Sequence, residues 1–508
     1  MPSLTWNKDR AAERVEACIK ELPVEDIEIR PYVRDTDLTG LEKHVAYRVD
    51  GVHLYADILN LDAMLNVTDV EGEMCHRRTL RFLNLHYRAV DRVIDSVDAI
   101  RVDFHNQRLH AVFAKPYDSE ADRVHRAIAA AQLIIEVLAR TGEDADHPPA
   151  RVRIGIDTGT ALAVSNGRRG QREPLFLGEP ANHAAKRSGG GAATGIYLTN
   201  KARVAIGLST VPDEDADALT KEQIQKSQDR AKLECTADHI IKEWQADLEN
   251  NPIGRFEFSG HTPPFKDLDF EDLSVKNSRR QDAATIYGDI DGFTAYVTAN
   301  IKEDASAKHV VRALHVLRSE LNAVLHVDFE GRKVRFIGDC IHGLAGDGTA
   351  QTTNAEETIS NMTLCAAAMR SSFELAIERL ASWGTDARTL GLAVGFEYGP
   401  MTATRLGMKG DLIRCSVSRG VVSAEREQRR CTGKETAIGL AAYIAANTAV
   451  RKLFTSSRKV QDLDFDTAVE ALAADGDEVA KSVKREALRS VAPTVFVAKD
   501  RELRPHCK

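Results

Sequence analysis

The sequence predicts an α+β fold made of two copies of one unit, each a mostly antiparallel sheet with helices on one face. Three observations carry this prediction. Two segments run through the same order of strand, hairpin, helix, strand and helix. The spacing from an Asp at the end of the first strand to a hairpin turn is 50 residues in both copies, Asp57 to Gln107 and Asp289 to Asp339. The spacing from a glycine in a later strand to a helix position is 27 in both, Gly155 to Asn182 and Gly395 to Val422. A length of 508 residues accommodates two to three domains of ordinary size.

The elements follow in order. Residues 1–45 are a helix-leaning flank. The first unit, 46–205, opens with Val52–Leu61, rich in β-branched and aromatic residues, which delivers Asp57-Ile58 into a turn and a helix. Two short strands over 102–113 meet at Asn106-Gln107, a pair that tolerates positive φ. A helix over 120–140 precedes the strand at 152–159 and a helix carrying Pro180-Ala-Asn182-His-Ala-Ala-Lys186-Arg187. In 206–280, Ile224, Ala231, Ile240, Ile241, Trp244 and Leu248 recur at helical spacing, so this stretch is a helical connector packed on a domain. Pro252, Pro263 and Pro264 punctuate the approach to the second unit. That unit, 281–450, repeats the plan: a strand ending at Asp289, a hairpin turning at Gly338-Asp339, a helix over 354–380, a strand at 392–399 and a helix over Gly420–Arg426. Residues 451–508 form a second helix-leaning flank.

Composition narrows the partners. A net charge of −8 gives no basic footprint for a nucleic acid, and the three arginines at 168, 169 and 172 are too few to make one. The apolar stretches 439–450 and 127–138 fall short of the roughly 18 residues of a bilayer span, so no membrane partner is expected. The first residues lack the apolar core of a secretion signal. The eight cysteines are scattered without paired spacing, as free thiols in a cytoplasmic protein would be.

Asp289 and Asp339 come together if the first strand lies beside the hairpin. Paired carboxylates on one sheet edge are hard oxygen ligands for Mg²⁺ or Mn²⁺, and two such ions about 4 Å apart promote phosphoryl transfer. The Asp289-Ile-Asp-Gly-Phe-Thr294 turn aims successive backbone amides at phosphates, and Gly292 allows close approach. His105, His110 and His342 alternate with apolar residues and read as strand histidines rather than zinc ligands.

Thr285–Thr294, Gly338-Asp339 and the Gly395–Gly399 strand resemble the catalytic domain of class III nucleotide cyclases, over most of 283–450 and more weakly over 50–205. The resemblance implies tandem ferredoxin-like domains paired head to tail, within one chain or in a homodimer. It also implies attack of a ribose 3′-hydroxyl on the α-phosphate of a nucleoside triphosphate. In that scheme Asp289, Asp339 and the Ile290 carbonyl hold two Mn²⁺ (or Mg²⁺) ions, and Asp291, Gly292, Phe293 and Thr294 bind the β- and γ-phosphates through their amides. A helix of the partner half supplies an Asn for the ribose and an Arg for the transferring phosphate.

The two copies have lost opposite halves of this machinery. The first has Gln107 where a carboxylate belongs but keeps Asn182, with Lys186 at the Arg position and Arg187 beside it. The second keeps both carboxylates and Arg426 but has Val422 in place of the Asn. One complete site is therefore expected, from Asp289 and Asp339 with Asn182 and Lys186 or Arg187. The mirror site is expected to be dead. The base-reading positions hold Arg101, whose donors suit a carbonyl, and Leu175, which cannot accept from the amine of adenine. Lys266 reads as a solvated lysine, near where relatives place a phosphate-binding one.

The departures from the common cyclase pattern, Tyr55–Leu61, Phe104–His110 and 263–273, are similar to the bacterial pyrimidine cyclases of Pycsar antiphage defence. That similarity implies cUMP or cCMP made from UTP or CTP as a messenger that activates a separate effector protein. A purine cyclase and a non-catalytic nucleotide sensor are the alternatives.

Overall fold

Two long strands organise the chain, Val45–Ile58 and Ser278–Asp291, each of 14 residues. The computed structural model describes residues 5–34, 36–166, 174–408 and 410–491; the basic loop at 168–172 and Cys507 lie outside them. Each long strand lies between a hairpin and another long antiparallel strand. In the first sheet the order is Ile100–His105, Arg108–Phe113, Val45–Ile58, Val152–Val164 and Leu175–Leu177, with Gly195–Leu198 parallel to Val152–Val164. In the second it is Arg332–Ile337, Cys340–Ala345, Ser278–Asp291, Gly391–Met408, Glu435–Ile438 and Lys459–Gln461. Both sheets are mostly antiparallel with helices packed on them, the α+β content expected from the sequence.

The helices bury apolar stripes against the sheets. Glu73–Ser96 and Glu120–Leu138 share a core with Leu54, Ala56, Ile154 and Ile156. Asp304–Ala323 and Ala355–Ser382 share one with Ala284, Ile286, Val394 and Phe396. The equal spacing of 27 residues has a steric cause. A Cβ on Gly155 would lie 2.1 Å from the Ala184 carbonyl oxygen, and one on Gly395 would lie 2.1 Å from the Gln428 amide. Glycine thus lets the helices Glu179–Gly189 and Arg419–Arg429 press onto the strand backbone at equivalent points.

Each helix-leaning flank also adds a strand to a sheet. The first supplies helix Lys8–Glu21, but also strand Glu28–Pro31, which pairs in parallel with the start of Val45–Ile58. The helix buries Ala11, Val15 and Ile19 on the second domain, where the Trp6 indole donates to Ser372 Oγ at 2.6 Å. Burial of a Val or Ile side chain contributes about 1.5–3 kcal/mol, more than the partly exposed ion pair of Arg10 with Asp328 at its rim. The second flank adds strand Lys459–Gln461 to the edge of the second sheet before its helices. Within 206–280, helices Lys221–Ala231 and Ala237–Asn250 pack on the first domain. Ile240, Ile241 and Trp244 are buried there, and the Trp244 indole donates to the Leu85 carbonyl at 3.0 Å. Among the described residues no helix is long and apolar enough to cross a membrane.

Candidate active site

The two domains meet along their hairpins. Arg335 of the second and Asp103 of the first, each four residues before its own turn, form an ion pair at 2.8 Å. The meeting faces enclose a cleft of about 450 Å³ lined from both sides, by Tyr55, Asp103, Asn166, Leu175 and Asn182 of the first domain and by Asp289, Asp291, Phe293, Phe336 and Asp339 of the second. Its size suits a nucleotide. A larger cavity of about 850 Å³ lies elsewhere, but Asp328, Glu330, Asp347, Glu357 and Asp477 line it, a wall that repels a polyanionic triphosphate.

Strand register brings the carboxylates together. Cys340–Ala345 pairs with Ser278–Asp291 so that Ile341 faces Gly288, which sets the turn residue Asp339 beside the strand end carrying Asp289. Gly338 takes φ +62, and the equivalent turn residue of the first domain, Asn106, takes φ +48. Gly292 at φ +79 caps helix Phe293–Asn300, with the Thr389 carbonyl 3.1 Å from where a Cβ would stand. The Asp291 carboxylate accepts from the Gly433 amide at 2.7 Å, so its side chain braces the turn.

Burial raises the Asp289 pKa to about 6, with the Asp291 charge adding to the effect. The Asp339 carboxyl is pushed well above the usual carboxylate range, first by burial and then by Asp289. Neither forms an ion pair among the described residues. Two half-buried carboxylates side by side, with Arg429 and Arg318 acting on them without an ion pair, suit a cation, and an all-oxygen donor set of Asp289, Asp339 and the Ile290 carbonyl fits Mg²⁺ or Mn²⁺.

The first domain closes the cleft from the other side. Asn182 Nδ2 donates to Thr294 Oγ1 at 2.6 Å, so the Glu179–Gly189 helix touches the helix that follows the Asp289 turn. Lys186, four residues after Asn182 and exposed, shares that helix face. Arg187 does not. It points across the helix to Glu214 at 3.1 Å and Asp215 at 3.3 Å, because those acids lie on the far side. Leu175 lines the cleft, whereas Arg101 does not: its guanidinium is drawn to Asp91 of its own domain at 2.5 Å. Lys266 pairs with Glu330 at 2.8 Å, outside the cleft.

The mirror site holds an arginine among its carboxylates. Arg108 Nε donates to Asp57 at 3.1 Å and its Nη1 to Glu425 at 3.3 Å. Arg426 of the Arg419–Arg429 helix, at the position equivalent to Lys186, bonds Asp62, at the position equivalent to Thr294. The histidines lie in ring stacks, Tyr55 on His110 at 4.1 Å and Tyr287 on His342 at 4.4 Å between centroids, and burial holds both imidazoles below their ordinary pKa.

Sequence reasoning missed the buried arginines. Arg335 and Asp103 hold opposite charges at the same position of the repeat, a pattern that marks a contact between copies. Arg108 stands beside the missing carboxylate at Gln107, a paired loss and gain that was also readable. Arg318, buried against Phe336 and bonded to Asn166, left no such signal.

No protein-family model matches the chain. It is 54% identical over 511 residues to a uridylate cyclase of Pseudomonas aeruginosa, covering 100% of this chain and 98% of that protein. A uridylate cyclase of a Rhizobium species is 41% identical over 429 residues, 80% of this chain and 81% of that one. A crystal structure described as a class III adenylyl cyclase-like ATP-binding protein from Pseudomonas aeruginosa is similar with a TM-score of 0.90 at 56% identity, covering 92% of this chain and 100% of that one. The chain belongs to the class III nucleotide cyclases, in the branch of the pyrimidine cyclases. It is therefore a nucleotide-cyclising lyase.

Proposed function

We propose that the protein converts a pyrimidine nucleoside triphosphate, UTP in the first place, to its 3′,5′-cyclic monophosphate and pyrophosphate, in one site shared by both halves. Domain 281–450 supplies the metal half and domain 46–205 the sugar, phosphate and base half, paired head to tail within the chain. The observation that carries this reading is the Asn182–Thr294 bond, which sets the one surviving ribose-binding Asn against the one turn that keeps both carboxylates.

Asp289, Asp339 and the Ile290 carbonyl would hold two Mn²⁺ (or Mg²⁺) ions, which when bound supply Lewis acidity toward the attacking and departing oxygens. The amides of Asp291, Gly292, Phe293 and Thr294 open a helix N-terminus and hold the β- and γ-phosphates. Asn182 fixes the ribose so that O3′ lies in line with the α-phosphorus, where the new O3′–P bond forms as the bond to the bridging oxygen of pyrophosphate breaks. Lys186, one turn after Asn182 on the same helix, would place positive charge beside the phosphate as that charge spreads. As a point charge it orients less than a bidentate guanidinium would. The apolar Leu175 leaves the amine of adenine without an acceptor.

The relatives' uridylate cyclase activity supports uridine as the base. The resemblance to Pycsar cyclases supports a messenger role in antiphage defence, the product acting on a separate effector protein. Among the described residues seven cysteines stand as free thiols, which supports a cytoplasmic location. The test is incubation with each of four labelled nucleoside triphosphates and Mn²⁺, followed by chromatography. Cyclic UMP with free pyrophosphate is expected. Cyclic AMP or GMP alone, or bound triphosphate with no pyrophosphate released, would overturn the reading.

A further inference from the structure

One polar side chain in the cleft is chemically locked in orientation. Arg318, on the Asp304–Ala323 helix of the second domain, crosses to the first and donates from Nη2 to the Asn166 side-chain oxygen at 2.9 Å and to its backbone carbonyl at 3.2 Å. A guanidinium has five N–H donors and no acceptor, so only the oxygen of the Asn166 amide can face it. The guanidinium is itself fixed, its carbon 3.9 Å from the centroid of the Phe336 ring, and it is buried with Phe336. The Asn166 Nδ2 group donates to no acceptor among the described residues. Asn166 lies two residues beyond Val164, which pairs with Leu175, and Asn166, Leu175 and Phe336 all line the cleft.

We infer that Asn166 is a specificity-determining residue that reads the pyrimidine 4-position, with Arg318 as the residue that orients it. The inference rests on the proposed pyrimidine substrate and adds the choice between UTP and CTP. Held by Arg318, Asn166 presents a donor only. Uracil offers the O4 carbonyl, an acceptor; cytosine offers the N4 amine, a second donor that leaves both groups unpaired in a desolvated site. A site built around one hydrogen bond rejects a partner that cannot make it far more strongly than an apolar pocket rejects an extra methylene.

The test is kcat/KM for UTP and CTP in the full-length protein with Mn²⁺. The wild type is expected to favour UTP at least about tenfold. Asn166→Asp keeps an oxygen for Arg318 and turns the donor into an acceptor, so the UTP:CTP ratio should fall at least about tenfold, with CTP turnover rising. Arg318→Met frees the amide to turn over and should move the ratio toward one, chiefly through the KM for UTP, whereas Arg318→Lys, still only a donor, should keep the preference. If Arg318→Met does not fold, the Asn166→Asp ratio decides alone. A wild type that forms cyclic UMP while Asn166→Asp leaves the ratio unchanged would overturn the inference and spare the parent reading. A wild type that prefers CTP would do the same. A wild type that cyclises neither pyrimidine overturns both.

Discussion

The two equivalent ends of the molecule, around Asp289 and around Asp57, solve one electrostatic problem in opposite ways. Around Asp289, two carboxylates stand at a strand end with no ion pair among the described residues, and burial pushes both pKa values up. Around Asp57, the second carboxylate is the neutral Gln107, and Arg108 brings a covalently attached positive charge to Asp57 and Glu425. In the proposed site the first arrangement would take a mobile cation, which would supply the chemistry. The second is satisfied in advance and gains only cohesion between the halves. On the proposed reading, one end would serve catalysis and the other adhesion.

This contrast can be broken most sharply at the carboxylates. Asp289→Ala and Asp339→Ala should each lower kcat by about a thousandfold or more in the chromatographic assay, whereas Asp57→Ala should change it by less than about twofold. Equal loss from Asp57→Ala would end the one-site reading. Next in size, Asn182→Ala should cost roughly 10–100-fold in kcat by misplacing the ribose, while Val422→Ala at the equivalent position should cost little. Arg108→Ala should leave the buried Asp57 without its partner, while Glu425 keeps Arg429, so the loss should appear in urea unfolding as about 3 kcal/mol. An unchanged unfolding midpoint would mean that this end does not hold the halves together.

The smallest effect concerns pH. Because the folded protein holds the Asp289 proton up to about pH 6 against an ordinary value of 3.8, it binds more protons than the unfolded chain between these values, and its cation-free stability should fall as pH rises through that window. Mn²⁺ needs ionised carboxylates, so the rise in melting temperature on adding it should be larger at pH 7.5 than at pH 5. Equal rises at both would contradict binding through this pair.

Much of the candidate site's geometry was legible because its signals are local. Asp289 with Gly292 and Gly338 with Asp339 are short motifs whose backbone demands are written in neighbouring residues, and the repeat spacing reports the strand and helix lengths that the fold must keep. Arg101 and Arg187 illustrate the limit. Both hold plausible positions along the chain, but a long flexible side chain goes to the nearest carboxylate, and Asp91, Glu214 and Asp215 are brought close only by folding. Arg318 with Asn166 joins residues 152 apart in sequence, so neither half of that pair means anything alone. The strand Glu28–Pro31 escaped because its alternation is too short to stand out from a helix-leaning flank.

The first flank has a consequence for how the enzyme behaves on dilution. Helix Lys8–Glu21 is seated on the second domain, while the strand a few residues later is stitched into the first sheet. Arg48 reaches from that sheet to Asp304 at 2.6 Å. The halves are therefore held at a fixed, high effective concentration that does not depend on how many molecules are present. Turnover per chain is expected to stay the same whether a cell holds few copies of this protein or many.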